Sequence, residues 1–191
     1  MKCKLVHTDL YHVSSVLSPA TVERCQIADL DPVPYLFTCL DPDRRRRVLV
    51  PNTPWLHAVL DETYQSARPF VLSHRPEFTR MLAVVWHDTT GFRTPRHEDA
   101  AGERAVLQLY IRSAQAGTRF YLPSGTEYTV PYEPNSGYLH FNSGLQHELA
   151  GVITPADTRI SVYAYFIQET ADWLIRKFYE TYGCAVYDRS D

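Results

Sequence analysis

From residue 80 to residue 167 the chain breaks into short apolar runs separated by turn-forming residues, and that rhythm limits the folds open to it. Residues 80–86 (RMLAVVW) stop before Asp88-Thr89-Thr90-Gly91, and residues 105–111 (AVLQLYI) form a second run. Residues 118–122 follow the break at Gly117, and 138–141 follow Pro131 and the turn Asn135-Ser136-Gly137. Residues 146–153 then lead through Thr154-Pro155 to the run 159–167. Short stretches of this kind, bounded by Gly, Pro, Asn and Asp, are strand signals. Their succession predicts an antiparallel sandwich or barrel rather than βαβ units, so the reading is a mostly β protein with a jelly-roll core over 80–167.

Polar residues that interrupt this apolar pattern carry the chemistry. His97-Glu98-Asp99 precedes the second run, His147 lies fifty positions later, and Arg159-Ile160-Ser161 opens the last. Residues two apart in an extended chain point to the same face, so His97 and Asp99 can reach one metal, with Glu98 turned away. His147 from a distant strand would complete the set. Two imidazoles and one carboxylate with open positions is the ligand set of non-haem Fe(II) oxygenases. His-x-Asp alone is weak, because taken by itself a surface turn after Pro95 accounts for it better. The chain also holds a rival at His7-Thr8-Asp9 with His57 and Arg68. Context separates the two sets: the stretch between Asp9 and His57 is rich in proline and lacks strand alternation. His57 falls in a predicted helix begun by Thr53 and Pro54, and Arg68 runs into Pro69.

The region 97–167 resembles the catalytic core of the Fe(II)- and 2-oxoglutarate-dependent oxygenases, most closely the prolyl-hydroxylase-like branch. The resemblance rests on Ser136-Gly137-Tyr138-Leu139-His140-Phe141, Gln146-His147-Glu148-Leu149, Thr158-Arg159-Ile160-Ser161-Val162-Tyr163-Ala164-Tyr165-Phe166 and Leu109-Tyr110-Ile111. It covers about 70 of the 191 residues. Two departures touch no ligand: a single Gly117 stands where the family often has Gly-Gly, and twelve residues separate His147 from Arg159, somewhat more than is common. The resemblance implies a double-stranded β-helix, a cupin-like barrel. It implies Fe(II) held by His97, Asp99 and His147, with 2-oxoglutarate and dioxygen completing the coordination. Arg159, Ser161 and Tyr110 would bind the far carboxylate of 2-oxoglutarate, for which a guanidinium fork is suited. Because Asp99 is present, the resemblance implies hydroxylation with release of succinate as the default, rather than the halogenation of relatives that lack this carboxylate, with desaturation, epoxidation and ring closure left open. A non-catalytic jelly-roll binding module is the alternative from another functional class, and an intact ligand set argues against it.

The flanks read as support for this core within a single domain, 1–191: helices and loops over 1–79, and a helix and tail over 168–191. Ser18-Pro19 opens a predicted helix through Ala28. Leu56, Val59, Leu60 and Tyr64 form a helical stripe fit to pack on a sheet, and 169–182 is a predicted last helix closing the same core. The run Arg44-Arg45-Arg46-Arg47 reads as a solvated loop, and His140 as a solvent-facing or packed strand residue. At 45% hydrophobic the chain can build a full core. A net charge of −3 gives no reason to expect a nucleic-acid partner. No run reaches membrane-spanning length, and four scattered cysteines fit a reducing cytoplasm. For the primary substrate, Trp86 and the arginines near the expected barrel mouth, Arg93 and Arg112 with Arg96 and Arg119, point to a small carboxylate-bearing, amino-acid-like molecule. A peptide or protein side chain is the enzymatic alternative.

Overall fold

The computed structural model describes residues 1–37, 41–99, 103–112, 116–141 and 144–190. Cys39 lies outside them, as do residues 114 and 115 just ahead of the break at Gly117. The main sheet is antiparallel and contains β1 (Lys2–His7), β2 (Leu10–Ser14), β3 (Tyr35–Phe37), β4 (Arg46–Leu49), β5 (Arg80–Asp88), β6 (Ala105–Tyr110), β9 (Ser136–Phe141), β11 (Arg159–Ile167) and β12 (Tyr187–Arg189). Its order is β1-β2-β9-β6-β11-β5-β4-β3, with β12 also pairing β5. A second sheet, ordered β10-β7-β8, is built from β7 (Thr118–Tyr121), β8 (Glu127–Val130) and β10 (Gln146–Leu149). It lies over one end of the main sheet, where Phe120 meets Tyr138 edge-on at 4.8 Å and the Tyr110 hydroxyl donates to Thr118.

Strand periodicity then sorts the side chains. Leu107, Leu109, Leu139, Val162, Ala164 and Phe166 face outward and are covered by α1 (Pro19–Ile27) and α2 (Pro54–His74). Their alternates, including Gln108, Tyr110, Tyr138, His140, Ser161 and Tyr163, face the second sheet. Both faces are thus occupied, which is why β6, β9 and β11 are buried almost throughout. Leu56, Val59, Leu60 and Tyr64 do pack on the sheet. α3 (Asp172–Tyr182) closes a different core from the one served by α1 and α2: Leu174, Phe178 and Tyr182 cover the inner face beyond the second sheet, against Leu82, Val84, Val106 and Ile167.

Two local expectations are corrected. Residues 1–79 are not only helices and loops, because β1 and β2 form a hairpin whose inner strand extends the main sheet along β9. Its tight turn has Asp9 in the left-handed region at φ 59°. The predicted helix begun by Thr53 and Pro54 is α2, and it runs to His74 with Pro69 inside it. An interior proline costs a helix about 3 kcal/mol, and the buried face on either side, Tyr64, Ala67 and Val71, offsets that cost. The arginine run is not a solvated loop: Arg46 and Arg47 belong to β4, paired with β5. No helix among the described residues is long and apolar enough to cross a membrane.

Candidate metal centre

His97 and His147 are brought together by backbone, not only by side chains. The segment after β5 runs antiparallel to β10 and its continuation, with reciprocal bonds between His97 and His147 at 2.9 and 2.8 Å. Gly91 N donates to Ile153 O at 2.7 Å and Ile153 N to Phe92 O at 3.1 Å, which extends the same pairing. His97 is therefore an isolated bridge residue rather than part of a long strand, and Asp99 follows in an irregular segment. The expected sharing of a face holds locally. One ligand atom from each of His97, Asp99 and His147 lies within 4.8 Å of the other two. Both imidazole Nε2 atoms approach the same Asp99 oxygen, at 3.8 Å from His97 and 3.9 Å from His147.

The imidazoles are oriented for coordination. His97 Nδ1 lies 2.8 Å from Pro95 O, and His147 Nδ1 lies 3.2 Å from Leu145 O. A carbonyl can only accept, so Nδ1 carries the proton and Nε2 presents its lone pair, as is usual where a backbone oxygen orients a metal-binding histidine. Burial pushes the His147 pKa down, against the pull of Asp99, which favours the neutral ligand form. Asp99 is held the other way. Burial alone would raise its pKa, but the hydrogen bond and charge of His140, together with His147 and Arg104, bring it to about 2. His140 is neither solvent-facing nor a ligand: it is buried, and its Nε2 lies 3.3 Å from the second Asp99 oxygen. Its place was readable from parity with Tyr138, two residues earlier on the same strand. The donor set and its geometry fit a divalent metal of the Fe(II) type.

Beside the ligands lies a cavity lined by Arg46, Trp86, Gln108, Thr118, Tyr138 and Arg159, among others. Arg159 is buried and donates through Nη1 to Asp88, while its Nε has no hydrogen-bond partner among the described residues. A buried guanidinium edge left unmatched in a cavity wall suits a carboxylate such as the far end of 2-oxoglutarate. Tyr110 and Ser161 sit one layer behind this wall and do not line it. The Tyr110 hydroxyl donates to Thr118 Oγ1 at 2.8 Å, and burial pushes its pKa up to about 12. Ser161 Oγ accepts from Gln108 Nε2 at 3.1 Å, and Gln108 Oε1 accepts from Tyr138 at 2.8 Å. They hold Thr118 and Gln108 in place.

An outer recess of about 670 Å³ continues from His97 and Asp99, bounded by Trp86, Phe92, Arg93, Tyr163 and Lys177. Trp86 stacks on Tyr163 with ring centroids 4.1 Å apart. Of the four arginines expected at the mouth, Arg93 lines this recess and the others are engaged elsewhere. Arg112 donates to Cys25 O and Ala28 O, tying the C-terminal end of α1 to the end of β6, and lines neither space. Arg96 bonds Gln146 and stacks on Tyr121, and Arg119 pairs with Glu127 and Glu148. Lys177 on α3 and Arg46 on β4 are the cations that the sequence reading missed.

No family model matches the sequence, and no curated protein matches it. Solved structures do match. A prolyl-4-hydroxylase from Pseudomonas putida aligns with a TM-score of 0.61 and 14% identity, over 84% of this chain and 93% of that one. An oxidoreductase of the 2OG-Fe(II) oxygenase family from Burkholderia pseudomallei gives 0.59 and 13%, over 83% and 84%. HygX from Streptomyces hygroscopicus, solved with nickel, 2-oxoglutarate and hygromycin B bound, gives 0.58 and 12%, over 86% and 89%. The shared feature is the fold, the double-stranded β-helix that the resemblance implied.

Proposed function

We propose that this chain is an Fe(II)- and 2-oxoglutarate-dependent oxygenase that hydroxylates a C–H bond of a small, carboxylate-bearing, amino-acid-like molecule. One observation carries the reading: His97, Asp99 and His147 converge within 4.8 Å on the inner side of this fold. Bound Fe(II) with 2-oxoglutarate supplies the chemistry, in which dioxygen is split so that one atom enters the substrate as hydroxyl and the other enters succinate as carbon dioxide leaves. The remaining work falls to the protein. The two Nδ1–H···O=C contacts fix which imidazole nitrogen faces the metal, and His140 holds the outer oxygen of Asp99. Arg159 offers its Nε edge to the far carboxylate of the cosubstrate. The stacked pair Trp86–Tyr163 forms an aromatic wall common to the inner cavity and the outer recess. Arg93 and Lys177 on that recess support a substrate carboxylate, and Arg112 plays no part in it.

The test is oxygen uptake with Fe(II) and 2-oxoglutarate, with succinate and a hydroxylated product followed by mass spectrometry across free amino acids and short peptides. Product from free amino acids, lost in Arg93→Ala, supports the full reading. Product from peptides only removes the small-molecule assignment and leaves the oxygenase. Absence of succinate under every condition refutes the enzyme and favours a binding module.

A further inference from the structure

Three charged residues lie in one row across the main sheet. Arg46 on β4 stands directly opposite Asp88 on β5, and Asp88 stands directly opposite Arg159 on β11. The Asp88 carboxylate is fully buried and accepts from Arg46 Nε at 2.6 Å, from Arg46 Nη2 at 3.0 Å and from Arg159 Nη1. Burial alone would raise its pKa, but the two guanidiniums keep it lowered, and the carboxylate ionised. Arg46 is clamped as well, with its guanidinium carbon 3.7 Å from the Trp86 ring centre and 4.2 Å from that of Phe92. Both arginines line the cavity beside the metal ligands.

The charge balance of this row has a consequence for the cosubstrate site. Arg159 faces Asp88 at close range, so the two together present a nearly neutral pair to an incoming carboxylate. Asp88 is held from both sides by strand register and by three hydrogen bonds, so it is not a group that swings aside. The positive charge that a buried carboxylate needs must then come from the other end of the row. We propose that Arg46 supplies it: Arg46, Asp88 and Arg159 act as one monocation, and Arg46 is a positioning and charge-supplying residue for the far carboxylate of 2-oxoglutarate, acting through Asp88. This inference rests on the oxygenase reading and deepens it.

The experiment is a calorimetric titration of 2-oxoglutarate into oxygen-free protein loaded with Mn(II), a redox-quiet stand-in for iron. Arg46→Met keeps the length of the side chain and removes its charge. It is expected to weaken binding by about ten- to a hundredfold, the worth of one nearby unit charge at an effective dielectric near 20. Arg46→Lys, which keeps the charge and loses the planar fork, binds more tightly than Arg46→Met. The deciding protein is Arg46→Met/Asp88→Asn, in which Arg159 is no longer cancelled and most of the lost affinity returns. A merely structural clamp would not be rescued by a second loss. If Arg46→Met binds within about twofold of the wild type, or if the double variant binds no better than Arg46→Met, the proposal is overturned. Should the double variant not fold, the order of Arg46→Lys and Arg46→Met decides instead, and equal binding overturns it. A wild type that takes up Mn(II) but not 2-oxoglutarate sinks the oxygenase reading itself, a result separable from failure of Arg46 alone.

Discussion

Replacing Gly137 by alanine should damage both the fold and the pocket, because β9 and β6 approach too closely there for any side chain. A Cβ built on Gly137 would stand 1.9 Å from the carbonyl oxygen of Gln108 and 2.9 Å from its carbonyl carbon. Real Cβ contacts essentially never fall below 3.0 Å, so the strands must separate by roughly 1 Å at this point. The obstacle is backbone, and no rotamer change relieves it. Gln108 belongs to the pocket wall, and its amide joins Ser161 to Tyr138. Overpacking of a well-filled core costs about 1–3 kcal/mol, and a rigid backbone obstacle belongs at the upper end of that range. For a chain of this length each 1 kcal/mol moves the melting temperature by about 2–4 °C, so Gly137→Ala should melt roughly 6–12 °C lower. Thermal unfolding followed by circular dichroism, with 2-oxoglutarate affinity measured on the surviving fold, checks both effects. A melting temperature within about 1 °C of the wild type would mean that the strands yield freely there, contrary to the packing argument.

Other perturbations test the site and its support. His97→Ala, Asp99→Ala and His147→Ala should each abolish metal-dependent succinate formation and retained metal, whereas His7→Ala and His57→Ala should leave activity within about threefold. His57 is exposed on α2, the helix packed on the opposite face of the main sheet, and loss of iron on its replacement would relocate the site. Arg159→Ala should raise the requirement for 2-oxoglutarate by more than about a hundredfold, from the roughly 3–5 kcal/mol of a broken buried charge pair. Metal uptake should persist, and an unchanged requirement in the folded variant would remove Arg159 from the cosubstrate site. Glu62 on α2 accepts from Ser18 N at 2.6 Å, Ser18 Oγ at 3.0 Å and Thr21 Oγ1 at 2.5 Å, joining the start of α1 to α2. Burial would raise its pKa, but these donors lower it overall. Its contribution is therefore present above the unfolded Glu pKa of about 4.3 and is lost as pH falls through the lower folded value. Glu62→Gln should melt lower at neutral pH and lose part of the acid-induced drop; parallel melting-versus-pH curves for the two proteins would refute the assignment.

What the sequence made legible follows from which signals are local. Strand alternation located β5, β6, β9 and β11, and parity alone sorts Gln108, Tyr110, Tyr138 and His140 onto the inner face. The convergence of His97, Asp99 and His147 was readable because two of them sit two residues apart and the third lies in a recognisable strand. The hairpin β1–β2 was harder to see. It lies at the margin of the sheet, so β1 is half exposed and lacks a clean apolar period. Asp88 was read as the first residue of a turn, yet β5 runs through it because arginines on both neighbouring strands make its burial tolerable. Arg112 was misplaced by proximity to Tyr110, when the chain had already left the cavity and its side chain was needed by the carbonyls that end α1.

The arginine run shows why a compositional reading fails residue by residue. Four consecutive cations suggest a solvated segment, but strand geometry sends neighbours to opposite faces, and each of these side chains has its own partner. Arg44, in the left-handed region at φ 54°, lies over Phe37, and Arg45 donates to Gly91 O at 2.8 Å, anchoring the segment that leads to His97. Arg47 lies over Tyr35 at 4.6 Å, beside β3 at the end of the sheet order. Arg46 alone turns inward, and its carboxylate partner is 42 residues away in sequence. Nothing local distinguishes it from its neighbours. A half-buried cation such as Arg46 is specified by the residue that neutralises it, and that partner becomes visible only once β4 and β5 are in register.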